Sequence, residues 1–370
     1  MAITKQAFGV MPSGETVYKY TLTNHHGVSA DFITLGGTWV TMNVPDKKGK
    51  MADVILGYDN LEGYLSNNPH FGAIIGRNAN RIGGAVITID GKDYKLEANN
   101  GPNNLHSAPD LYHRRLWDCE AAETDEGSCL TFSLKSPDGD QGYPGNASIQ
   151  VSYTLTEDDS IRIHYHMICD ADTIANFTNH CYFNLAGHDG DSVMDQEVWL
   201  AASKFTPADE VSIPTGEILP VEGTPMDFTE MKPLGRDIDE PYEALILGHG
   251  YDHNWVLDHD PGILSLAARA KDPKSGRMME TYTDLPGIQL YTANFLNDPV
   301  PGKGGVRYEG RHAFCFETQH FPDACHKPEF PSPILKAGEV YDTTTVYRSI
   351  QKRNKKADIK IHIEKGFLMR

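Results

Sequence analysis

The sequence predicts an all-β protein folded as one large antiparallel β-sandwich, and three observations carry that reading. Apolar and polar residues alternate in short runs. Turn-forming residues punctuate those runs, with 34 Gly and 22 Pro in 370 residues, and no long helical stripe or βαβ rhythm competes. In chain order, residues 60–64 fit a short helical turn. Residues 85–89 form an apolar-rich strand that runs into Asp90-Gly91, a dipeptide suited to a two-residue hairpin, and a second strand follows at 92–96. Residues 148–155 alternate, 157–160 turn, and 161–167 alternate again. No short repeat and no Gly/Ser-rich linker divides the chain. Residues 1–347 therefore read as a single domain, followed by a basic tail of unassigned role at 348–370.

Composition narrows the partners. A hydrophobic fraction of 39% and a charged fraction of 23% are ordinary for a globular chain, whereas a formal net charge of -18 disfavours nucleic acid and anionic membrane surfaces. Neutral ligands suit such a surface better. The chain has no apolar run near the ~20 residues of a membrane helix and no signal-like start, so a cytoplasmic location is expected. Its six cysteines follow no metal-ligand or disulfide-scaffold spacing and are expected as free thiols. The cluster Lys352, Arg353, Lys355 and Lys356 reads as a solvated terminus.

Residues 178–185 are the most informative segment. As a strand, its side chains alternate in direction, so Thr178, His180, Tyr182 and Asn184 share one face and Asn179, Cys181, Phe183 and Leu185 the other. The first face is suited to binding and the second to packing. Alone, the segment also fits a half-buried strand whose histidine is merely hydrogen-bonded.

Five further islands offer matching chemistry. Residues 76–84 combine small residues with the donors of Asn80 and Arg81, though an ordinary surface turn would look the same. The turn-rich stretch 99–106 ends in His106. In 250–257, Asp252 and Asn254 share a face opposite Trp255. In 287–294, Gln289 and Tyr291 project together, away from Ile288 and Leu290. In 313–323, Glu317 interrupts an apolar strand with Phe314 and Phe316 behind it. An ionised carboxylate in such a strand loses hydration unless donors replace the water. The glycines fit neither a Walker loop nor a dinucleotide fingerprint, and no nucleophile motif, cofactor loop or metal spacing appears. Neutral carbohydrate fits the combination of bidentate polar groups and aromatic rings.

These islands, together with 136–146, 207–218 and 223–228, give the chain a resemblance to the aldose 1-epimerase (galactose mutarotase) family over most of its length. The resemblance implies a supersandwich fold and interconversion of the α and β anomers of free aldoses such as glucose and galactose, with no cofactor and no metal. By position, Glu317 resembles the family's general base, His180 its general acid and His106 its second active-site histidine. Asn80, Arg81, Asp252 and Gln289 resemble the groups that hold sugar hydroxyls. Tyr182 is added from strand parity alone. The expected partner is a free monosaccharide, met by a monomer or a homodimer, with neither nucleic acid nor membrane involved.

In the chemistry so implied, Glu317 as carboxylate takes the C1 hydroxyl proton and His180 as imidazolium protonates the ring oxygen, with His106 assisting. Donors are then expected to compensate the burial of Glu317. A glycoside hydrolase using Asp252 and Glu317, a non-catalytic sugar-binding module and an epimerase of hexose 6-phosphates, which would need a cationic pocket that the acidic balance does not suggest, are the alternatives. One departure from the family pattern is the run Ser107-Ala108-Pro109, where a glycine pair is common, so the loop after His106 is expected to sit differently.

Overall fold

A computed structural model describes residues 2–350. All of its strand ladders are antiparallel, and its two α-helices, Leu61–Ser66 and Glu243–Gly248, have six residues each. The first falls where a helical turn is expected. Five consecutive strands, from Ala2–Val10 to Met51–Asp53, form an N-terminal meander. A nine-stranded sheet places Ala147–Thr156 beside Ser160–Cys169, and the C-terminal strand Val340–Ile350 lies between Ser160–Cys169 and Met278–Thr283. A third sheet contains Asp252–Val256, Gly287–Tyr291 and Cys315–Gln319 side by side.

Local sequence accounts for much of this. Val86–Ile89 and Lys92–Lys95 pair through a two-residue turn in which Asp90 and Gly91 have φ of 50° and 77°, the mirror-image turn whose twist suits a hairpin. The C-terminal strand continues through Ile350, where Arg348, Ser349 and Ile350 pair with Glu280, Met279 and Met278. The first three residues assigned to a tail are thus sheet; the rest of that segment lies outside the described residues.

The sheets share one core. Phe32 and Trp39 of the meander pack on Tyr153 and Tyr347 of the nine-stranded sheet, with ring centroids 4.5 and 5.8 Å apart. The third sheet turns Trp255, Ile288, Leu290 and Phe316 into the same core. Tyr347 also donates its hydroxyl to Phe316 O at 2.6 Å, which seats strand Cys315–Gln319 on its neighbour and leaves Glu317 facing the other way. A fully buried aromatic of this kind removes ~150–250 Å² from water.

The segment expected as a possible surface turn is interior. Gly76 is required there, since a Cβ would meet the Phe177 ring at 2.3 Å. Arg77 has no exposed surface and donates to the carbonyls of Ser136, Pro144 and Gly145 at 3.0, 2.8 and 2.9 Å, and to Ser136 Oγ. Ser136 Oγ passes a proton contact on to Asp140, which Arg115 also pairs. Asn176 bridges to Asn78 in backbone pairing, and its Oδ1 accepts from His320 N–H at 2.8 Å, tying this segment to the end of the Glu317 strand.

Arg77→Leu strands three buried carbonyls at once. Each uncompensated acceptor costs about 1–3 kcal/mol, so urea unfolding is expected to show a loss of at least ~3 kcal/mol. A loss under ~1 kcal/mol would mean that the guanidinium fork is not what holds the segment.

Candidate active site

Side chains from widely separated parts of the chain meet in a cavity of about 640 Å³. Strand Thr178–His180 pairs with Ala73–Ile75, and His180 O accepts from Gly72 N–H at 3.1 Å. Gly72 sits at φ 62°, and a Cβ there would lie 1.9 Å from Trp39 O, so only glycine lets the chain pass beneath His180. The regular strand ends at His180, because Tyr182, Phe183 and Asn184 bond in turn to Leu56, Phe314 and Val54. Parity still holds for the key pair. His180 and Tyr182 line the cavity, with ring centroids 5.0 Å apart and nearly parallel, while Cys181, Phe183 and Leu185 enter the core. Thr178 and Asn184 do not reach the cavity; Asn184 instead donates to Asp191 O and His312 O.

Asn80, Arg81 and His106 come from a clasp of two short strands, Arg81–Ile82 and Asn104–Leu105. His106 N–H donates to Asn80 O at 3.0 Å, and Asn80 N–H donates to His106 Nδ1 at 3.2 Å. Accepting at Nδ1 places the proton of neutral His106 on Nε2, making that nitrogen a donor. Arg81 donates from Nε to Asn100 Oδ1 at 2.9 Å. The departure at Ser107 is accommodated by chemistry. Ser107 takes φ of 63°, a conformation that favours glycine, and its Oγ accepts from Asn78 N–H, donates to Asn78 O and meets the Tyr143 hydroxyl at 2.9 Å.

The third sheet supplies the acids. Its register aligns Asn254, Gln289 and Glu317 across adjacent strands. Gln289 donates to Asp252 Oδ1 at 2.7 Å and accepts from Gln319 at 3.2 Å. Asp252, Tyr291 and Glu317 line the cavity, but Gln289 does not; it holds Asp252 from behind.

Glu317 is 2% exposed, and its Oε2 has no hydrogen-bond partner. No donor meets that oxygen: the Gln289 amide is spent on Asp252, and the Gln319 amide on Gln289 and Asn254. Burial, and then the Asp252 carboxylate, push the Glu317 carboxyl up to about 8, with Arg81 opposing in smaller part. Burial, and then His70, lower His180 to about 3, and burial lowers His106 well below the usual histidine range. His180 Nε2 is 3.7 Å from Glu317 Oε2. An ion pair would shift both groups in the opposite directions, and 3.7 Å is too long for a hydrogen bond, so desolvation prevails. Burial thus favours the uncharged carboxyl and imidazole over the carboxylate and imidazolium.

The ligand atoms of His106, His180 and Glu317 lie within 4.8 Å of one another. A divalent cation could span that spacing, and so could an acid and a base acting on one small molecule. Asp323, Cys325 and His326 converge similarly, but Asp323 is already engaged by Gly83 N–H at 2.9 Å and His326 Nδ1 at 2.6 Å. Sequence reasoning passed over His70, Tyr291 and Phe295 as site residues. Phe295 stands 59% exposed at the cavity and stacks on Tyr291 with centroids 6.5 Å apart. The turn signal at Asn67, Asn68 and Pro69 was the available clue to His70.

Comparison with known proteins agrees with the fold. The family model described as aldose 1-epimerase matches residues 18–348. A galactose mutarotase of Bos taurus is 41% identical over 349 residues, covering 94% of this chain and 98% of its own. An aldose 1-epimerase of Escherichia coli K12 is 32% identical over 343 residues, covering 92% and 97%. Among solved structures, an aldose epimerase homologue from C. elegans superposes with a TM-score of 0.81 at 30% identity, covering 90% of this chain and 98% of that one.

The burial of Glu317 has a thermodynamic consequence. Its folded-state value lies above the ordinary 4.5, so the native state holds a proton that the unfolded chain releases, and stability falls as pH rises from about 4.5 to about 8. The buried neutral His180 acts oppositely, losing stability as pH falls from 6.5 toward about 3. Glu317→Gln removes only the first effect. Its melting temperature relative to the parent protein should climb between pH 5 and 8.5, and a constant difference in thermal scans would contradict the burial assigned to Glu317.

Proposed function

The chain belongs to the aldose 1-epimerase family, and on that premise we propose that it interconverts the α and β anomers of free aldoses, glucose and galactose among them, by opening and reclosing the sugar ring. The observation that carries the site assignment is the approach of Glu317 Oε2 to His180 Nε2 at 3.7 Å, with His106 in the same cluster. Ring opening removes the C1 hydroxyl proton while the ring oxygen gains one, so a base and an acid must reach one ring together. Glu317 is assigned as the base and His180 as the acid, with His106 Nε2–H donating at the ring oxygen.

One proton serves the whole cycle. When Glu317 takes the C1 proton and His180 gives one to the ring oxygen, the pair ends as carboxylic acid and neutral imidazole. Burial already favours that state. It complements the open-chain sugar, since the carboxylic O–H can donate to the new aldehyde oxygen and the imidazole can accept from the new hydroxyl. Rotation about C1–C2 turns the other carbonyl face to the hydroxyl, and reclosure reverses both transfers. With the closed sugar bound, its C1 hydroxyl supplies the donor that Glu317 Oε2 lacks and so favours the carboxylate needed to begin.

Asn80, Arg81 and Asp252 are assigned to the remaining hydroxyls, and Gln289 acts through Asp252 as a positioning residue. Tyr182 backs His180 by stacking. Among the described residues no helix is long and apolar enough to cross a membrane; a cytoplasmic location is proposed, and the free cysteines support it. The shared core from Tyr20 to Tyr347 supports reading the sandwich as one domain.

Polarimetry on freshly dissolved α-galactose or α-glucose, corrected for the buffer rate, tests these roles. Glu317→Gln and His180→Asn are expected to fold and to lose about 10²- to 10⁴-fold in kcat. Near-parental turnover in either would remove that residue from the chemistry. Release of reducing sugar from an aryl galactoside would favour hydrolysis instead.

The pH profile is a separate test. The reactive pair carries one proton in total, and its two apparent values belong to the pair. Activity in kcat/KM should therefore hold from pH 5 to 7 and fall with unit slope above about 8, where the pair loses that proton. A profile that keeps rising through pH 9 would contradict the single-proton cycle.

A further inference from the structure

Four imidazoles gather on one side of the cavity, and the chemistry above uses only two of them. The His70 ring centroid lies 5.2 Å from His106, 5.8 Å from His180 and 4.9 Å from His113, steeply inclined to each. His70 lines the cavity, whereas His113 lies behind it, 2% exposed. We propose that His70 is a further substrate-contacting residue, an imidazole that hydrogen-bonds a sugar hydroxyl beside His106 and His180, with His113 as the positioning residue that holds its ring. The inference rests on the epimerase reading and adds a specificity-determining group to it.

The backbone around His70 is built to present that ring. Asn67 clamps the turn, accepting from Phe71 N–H at 2.8 Å and donating to Phe71 O at 3.2 Å, while its own carbonyl accepts from His70 N–H at 3.0 Å. Ala73 N–H then donates to His70 O at 3.1 Å. Within this clamp His70 has φ of 64°, a left-handed conformation costing a non-glycine residue on the order of 1 kcal/mol. Such a conformation persists only when its surroundings over-determine it, and here they direct a side chain at the cavity.

The ring is also chemically unspent. His106 uses Nδ1 on Asn80 N–H, and His180 Nδ1 faces Cys315 Sγ at 3.8 Å. His70 Nδ1 and His113 Nε2 are both buried without a hydrogen-bond partner. Interior polar atoms are nearly always paired, so two orphans in adjoining rings beside a cavity indicate groups kept for a ligand or for its support. Burial lowers His70 to about 4, leaving an imidazole with one donor and one acceptor. A sugar hydroxyl is likewise both. The Arg114 guanidinium adds to burial in opposing protonation of His70, and a charge on His70 would in turn oppose protonation of His106, His113 and His180.

The test pairs variants with a panel of monodeoxygalactoses. His70→Phe keeps a ring against its three neighbours but removes both nitrogens, and is expected to raise KM for galactose about two- to tenfold, the value of one neutral hydrogen bond, with kcat within about threefold. His70→Gln, which restores a donor and an acceptor, should recover part of that loss. One deoxy sugar should lose the same factor with the parent protein and nothing further with His70→Phe, whereas a purely structural role would penalise the whole panel alike. His113→Leu should raise KM in the parent background but not in His70→Phe. Unchanged KM in His70→Phe, or an even penalty across the panel, overturns the proposal. If the parent protein itself fails to mutarotate galactose, the epimerase reading fails instead, so the two failures are distinguishable.

Discussion

Withholding hydrogen bonds from a buried carboxylate is the constraint on which the site depends. Glu317 is inside the protein, yet its Oε2 has no donor, and the nearby amides are committed elsewhere. Had Gln289 turned its amide to Glu317, the carboxylate would be stabilised, less basic and already satisfied before a sugar arrived. The interior would be more stable and the site less useful. The same burial favours the neutral form of His180.

That arrangement requires rigid surroundings, because an unpaired carboxyl would otherwise drag a flexible neighbour toward it. The strand carrying Glu317 is held at one end by Asn176 through His320 and at its middle by the Tyr347 hydroxyl on Phe316 O. The clasp that carries Asn80 and His106 is tied on by Asn176 pairing with Asn78 and by Ser107. Arg77 sits behind this segment, joining it to the loop around Ser136 and Pro144. Each cavity-lining group of the candidate site is thus held by residues outside the cavity, the rigidity that the proposed proton transfers require.

The architecture was legible from local patterns. Alternation in 148–155 and 161–167 became paired strands, Asp90-Gly91 became a two-residue hairpin, and opposed faces in 250–257, 287–294 and 313–319 put Trp255, Ile288, Leu290 and Phe316 in the core and Asp252, Tyr291 and Glu317 at the cavity. Of the candidate site residues, parity alone supplied Tyr182, which lines the cavity, while the others came from the resemblance to the family. Gln289 was the exception to parity: period two puts it on the cavity side, but Asp252 stands between it and the ligand space. Thr178 and Asn184 were likewise on the right face of a strand that proved too short. Among the described residues, nothing in the run 76–82 distinguished the buried Arg77 from the cavity-lining Arg81.

By itself, then, the sequence determined the all-β class and the faces of the site strands, because side-chain direction in a strand follows from backbone geometry over a few residues, while the candidates for acid and base came from the resemblance to the family. Only the tertiary structure decided the protonation of Glu317 and His180, the retreat of Gln289 and the presence of His70. Those properties depend on which groups from distant segments share one small volume, how much water they exclude, and which donors are already spent. Desolvation and competition for hydrogen bonds are sums over neighbours in space, and a single segment of chain does not contain its neighbours.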